Sequence, residues 1–139
     1  MITQTTPYGI STTVPVDYAT AVARTRDALA TEGFGILSEI DVAATLRKKL
    51  DVDFRPYVIL GACNPPLAHQ ALTAEPDIGL LLPCNVVVYA TDDPARSVVS
   101  VMDPVQALAL TGNDAILPIA EDVRARLMRV LGVLDALGS

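Results

Sequence analysis

The chain has 139 residues, a formal net charge of −6, 51% hydrophobic and 19% charged residues, and no tryptophan. That is about one domain on the usual ~100–200 residues each. It is too apolar for intrinsic disorder, and too acidic and aromatic-poor for a nucleic-acid binder, which needs a basic face or stacking rings. Ala, Val and Leu dominate the apolar residues, so composition predicts a compact domain with an aliphatic core.

The first residues, Met1-Ile2-Thr3-Gln4-Thr5-Thr6, have neither the basic nor the apolar region of a signal peptide. No apolar run approaches the ~18 residues of a membrane span. The expected location is the cytoplasm, without a membrane partner. Two cysteines in that setting are read as thiols or ligands rather than a structural disulfide.

Residues 9–16 (GISTTVPV) predict a first strand, with Pro15 confined to its end because it cannot donate to a ladder. Asp17 reads as a helix N-cap. Tyr18, Val22, Thr25 and Leu29 follow at helical spacing, and Gly33 sits where a terminating glycine belongs. Residues 34–40 predict a second strand. Asp41 caps a short helix with Val42, Leu46 and Leu50 on one face, and Arg47, Lys48 and Lys49 form a basic cluster expected to be a solvated surface.

Residues 55–63 (RPYVILGAC) predict a third, central strand. Asn64-Pro65-Pro66 opens a helix ending before Pro76. Residues 79–82 read as an apolar loop packed inward. Residues 85–91 (NVVVYAT) and 97–102 (SVVSVM) predict two further strands joined as a hairpin by Asp92-Asp93-Pro94. Residues 103–112 form a half-helical connector. A final helix over residues 118–137 follows, with Ala120, Val123, Leu127, Val130, Leu134 and Leu137 as its stripe. Met128, Leu131 and Val133 widen it, which suits packing on a sheet better than a coiled coil. The economical arrangement is one sheet of five strands with the two main helices on one face; helices on both faces are the competing arrangement.

Both cysteines and the only histidine fall within 22 residues, in Gly61-Ala62-Cys63-Asn64-Pro65-Pro66, His69 and Leu82-Pro83-Cys84-Asn85. Cys63 ends the third predicted strand and Cys84 opens the fourth. Antiparallel pairing brings them together under the intervening helix; parallel pairing separates them. Cys63 also precedes a helix N-terminus, a position that favours a thiolate. His69 lies in the second turn of that helix, but spacing alone does not aim it.

Three readings stay open. In the first, Cys63 and Cys84 are small buried hydrophobes and His69 is a surface residue. In the second, Cys63 is a reactive thiol with Cys84 as its resolving partner. In the third, Cys63, Asn64, His69, Cys84 and Asn85 hold a small ligand, or Cys63, Cys84 and His69 a metal. Zinc wants four ligands, or three and a water, and the chain has no C-x-x-C and no second histidine. No phosphate-binding glycine loop or nucleophile elbow is present, and the carboxylate pairs Asp51/Asp53, Asp92/Asp93 and Glu121/Asp122 read as turns or helix starts. The sequence assigns no cofactor and does not decide whether the protein is an enzyme.

Gly61-Ala62-Cys63-Asn64-Pro65, then Ala68, Ala71 and Leu72, then Ile78-Gly79-Leu80-Leu81-Leu82-Pro83-Cys84-Asn85-Val86-Val87-Val88, resemble the DUF302 family (domain of unknown function 302) of bacterial and archaeal proteins. Tyr8-Gly9 and Gly33-Phe34-Gly35 fit it too, and the likeness spans nearly the whole chain. The resemblance implies a β-α-β(4)-α fold of the TATA-box-binding-protein type, antiparallel pairing of the third and fourth strands, and a homodimer. It marks Cys63, Asn64, Cys84 and Asn85 as motif positions and provides no reaction. Two functions follow as expectations: a ligand-binding or thiol-dependent role centred on the Cys-Asn pairs, or a non-catalytic interaction module in which those pairs only fix strand–helix junctions.

Overall fold

A computed structural model describes residues 1–138. The strands are β1 (Thr3–Thr6), β2 (Gly9–Val14), β3 (Gly35–Asp41), β4 (Tyr57–Cys63), β5 (Cys84–Ala90) and β6 (Ser97–Met102). The helices are α1 (Tyr18–Thr31), α2 (Val42–Leu50), α3 (Pro65–Ala74), α4 (Pro104–Leu108) and α5 (Leu117–Asp135). All strands join one antiparallel sheet in the order β1-β2-β6-β5-β4-β3. The fold is α+β. Without β1 and the short helices its element order is β-α-β(4)-α, as expected.

Six strands replace the expected five. The addition is β1, whose Thr-Gln-Thr-Thr is polar and largely exposed. No apolar alternation marks it, because it is an edge strand held by its pairing with β2.

Period-two alternation divides the sheet into two unlike faces. Val58 pairs with Val88 and Val88 with Val99; Leu60 pairs with Val86 and Val86 with Val101. All six are at most 2% exposed. They meet Leu29 of α1 and Leu127, Val130, Leu131 and Leu134 of α5 in one core. Each such aliphatic side chain contributes roughly 1.5–3 kcal/mol on burial. The two main helices therefore share one face. The other face carries Tyr57, Ile59, Val87, Tyr89, Val98 and Met102, all of them partly exposed.

Local signals explain the helix ends. Asp17 accepts a hydrogen bond from the Thr20 amide at 2.9 Å, and Asp41 from the Ala44 amide at 2.9 Å. Gly33 adopts φ +83° after α1, a conformation that costs glycine little. The last helix is shorter than expected, and a single 3-10 turn, Ala136–Gly138, follows it. Its stripe is narrower as well: Val133 is 57% exposed. The expected inward loop near residue 79 is a 3-10 helix, Pro76–Leu81, anchored by buried Ile78.

Candidate functional site

Cys63 closes β4 and Cys84 opens β5, its antiparallel neighbour. A cavity of about 280 Å³ lies at this end of the sheet. Phe34 and Leu37 line one side, α3 contributes Leu67, Ala68 and Ala71, and α5 contributes Val123. Both cysteines line it and both are free thiols. The helix and turn between β4 and β5 wall the cavity, as antiparallel pairing predicts.

The two thiols differ. Cys84 is buried and pairs in register with Ala62, whereas Cys63 is half-buried and one residue further along. Burial, and secondarily the neighbouring Cys63, pushes the Cys84 thiol up to about 11. At neutral pH it is protonated, a poor nucleophile and a poor metal ligand.

The two asparagines differ more. Asn64 is 8% exposed and acts as the N-cap of α3. Its side-chain oxygen accepts from the Leu67 amide at 3.4 Å, and its amide nitrogen donates to the Glu32 carbonyl at 3.2 Å. Arg126 donates to the same carbonyl at 3.1 Å. Asn64 thus ties the start of α3 to the end of α1 and has little left for a ligand. Asn85 is exposed and belongs to the opposite face of the sheet, in a groove with Tyr57 and Tyr89. It is not part of the cavity. Since Cys84 faces the core, alternation sends its neighbour the other way.

His69 does not reach the cavity. It is exposed on α3 and absent from the lining. Among the described residues, no group of three His, Cys, Asp or Glu side chains is placed to hold a metal ion. Cys63, Cys84 and His69 do not form one.

The expected anion-favouring helix start is also missing. Pro65 and Pro66 have no N–H to offer. The Leu67 amide is held by the Asn64 side chain, and the Ala68 amide by the Asn64 carbonyl at 2.9 Å. No donor in this first turn remains for a thiolate or phosphate. Apart from Asn64 and the two thiols, the lining is aliphatic, phenyl or backbone. It suits an apolar molecule and has no cation for an acidic one.

Several participants escape sequence reasoning. Phe34, Leu37, Leu108, Ile119 and Val123 line the cavity from three distant segments. Gly61 faces Asn85 in register. A Cβ there would lie 2.2 Å from the Ser38 hydroxyl and 2.8 Å from the Pro83 ring, so only glycine lets Pro83 settle onto β4. Asp103 is 2% exposed, caps α4 through the Val105 amide at 3.0 Å, and pairs with Arg124 at 3.4 Å.

The family model for DUF302, a domain of unknown function, matches residues 10–134. The chain belongs to the DUF302 family. A crystal structure of an uncharacterized conserved DUF302 protein from Bacillus stearothermophilus superimposes with a TM-score of 0.84 at 29% identity, covering 91% of this chain and 98% of that one. No curated protein matches the sequence. DUF302 membership accounts for the shared fold and assigns no activity to the cavity. No helix among the described residues is long and apolar enough to cross a membrane.

Proposed function

We propose that this DUF302 chain binds a small, uncharged, apolar molecule in the cavity beneath α3. The observation that carries this reading is the lining, in which Asn64 is engaged elsewhere and only thiols interrupt the apolar wall. The volume, about 280 Å³, lies near the lower end of the ~300–1,000 Å³ common for ligand sites. A thiol-dependent role narrows to Cys63, because burial keeps Cys84 protonated.

Heptanol, an uncharged aliphatic probe, tests the reading. It should raise the thermal midpoint of the wild-type chain, because a ligand that binds only the folded state stabilises it by mass action. Ala68→Phe, which projects a ring into the space from α3, should abolish that rise while leaving the fold intact by circular dichroism. An equal response in both proteins would refute the cavity as the binding site.

Self-association is a second reading. Large apolar side chains at the surface favour it: Leu50 is 66% exposed and Phe54 48%. The free thiols support a cytoplasmic setting, and the element order supports the TATA-box-binding-protein-like description of the fold.

A further inference from the structure

We propose that the helix-free face of the sheet is the surface through which two copies of this chain associate, an inference that rests on the self-association reading above. Four of the six Phe and Tyr residues gather on or beside this face. Tyr57 and Tyr89 are cross-strand partners whose rings stack at 5.2 Å, with planes 5° apart. Phe54 extends the row, 6.2 Å from Tyr57. Tyr8, 66% exposed, lines the same groove of about 400 Å³. Aromatic side chains and Met are the residues enriched in protein interfaces.

Charge selects the occupant. The chain carries a net charge of −6, so two copies repel unless they meet where charge is missing. Among the described residues, the side chains that alternate onto this face from β2 to β3 are Ser, Thr, Val, Met, Asn, Tyr, Ile and Gly, with none charged. Glu39 of β3 lies opposite Leu60 of the core face and pairs with Arg26 of α1 at 2.6 Å. A basic or acidic partner would find no charged side chain within the face, only the Arg55–Asp92 pair at its rim. A second copy meets an identical uncharged face, as an isologous two-fold interface requires.

Size agrees. Strands ~4.8 Å apart and ~3.4 Å per residue give a sheet of this extent roughly 600 Å² in plan. That is of the order of the ~800 Å² per partner of a stable interface. The Arg55–Asp92 pair at 3.5 Å supplies a polar rim near Tyr89.

Sedimentation velocity of the full chain across the micromolar range tests the inference. The expected mass is twice the 14.7 kDa chain. Tyr89→Glu and Ile59→Asp should each weaken association roughly tenfold or more, with helical circular dichroism retained, whereas Glu121→Lys on α5 should not. Three of the four tyrosines belong to this face, so wild-type tyrosine emission should change on dilution with the same midpoint as the mass, without any variant. A wild-type dimer that ignores both face variants, or dissociates with no change in tyrosine emission, overturns the face and leaves self-association standing. A wild-type monomer throughout overturns both. A monomer that captures a different protein through Tyr89 also overturns the second copy as occupant.

Discussion

Cys63-Asn64 and Cys84-Asn85 are the same dipeptide on neighbouring strands, yet the fold uses them differently. At the first, the strand ends, Asn64 turns inward to cap α3, and Cys63 stays half-buried at the cavity wall. At the second, the strand begins, and alternation sends Cys84 into the core and Asn85 to the open face. A repeated dipeptide therefore does not make a symmetric site. Its position relative to the strand end decides which side chain is structural, which lines the cavity, and which looks away.

The sharpest way to break this contrast is at Gly61, opposite Asn85. Gly61→Ala forces Ser38 or Pro83 to move, and overpacking of this kind should destabilise the fold by about 3 kcal/mol in urea unfolding. A neutral outcome would mean that the close approach of Pro83 does not fix the second junction.

Titration separates the thiols next. Because burial pushes Cys84 up to about 11, the folded state favours its protonated form. That stabilisation is complete below the ordinary thiol range of ~8.5. It is lost as pH rises through about 11, a change of roughly 3 kcal/mol. Cys84→Ala should flatten the fall in urea midpoint between neutral and alkaline pH, and Cys63→Ala should retain it. If the two variants follow the same curve, the difference between the thiols is gone.

The asparagines give the smallest effects. Asn64→Ala removes a cap and should cost about 1 kcal/mol. Asn85→Ala, on the surface, should stay within ~0.5 kcal/mol when measured on dilute protein. Equal losses would show that both junctions are structural.

Much of the fold was legible because its signals are local. Asp17, Asp41 and Asn64 cap helices as their spacing predicts, Gly33 ends α1, and the Val-rich runs of β5 and β6 form the hairpin. β1 was not legible, since four polar residues become a strand only through β2. The candidate site was legible as a place and less so as a set of residues. Antiparallel pairing put Cys63 and Cys84 at one end of the sheet, but helical spacing could not say that His69 faces solvent. The signal against Asn85 was present: a residue after a core-facing one on a strand must face away. The two prolines likewise announced that α3 starts with no free amide for an anion. The lining from Leu37, Leu108 and Val123 had no sequence signal, because tertiary packing alone assembles it.

The claim that the cavity accepts a small apolar molecule is tested most directly by methyl-resolved NMR during titration with heptanol. The account predicts saturable shifts at the Ala71, Leu82, Ile119 and Val123 methyls, which line the cavity, and their loss in Ala68→Phe. Shifts that never saturate, or that gather instead at Val87 and Val98 on the open face, would contradict it.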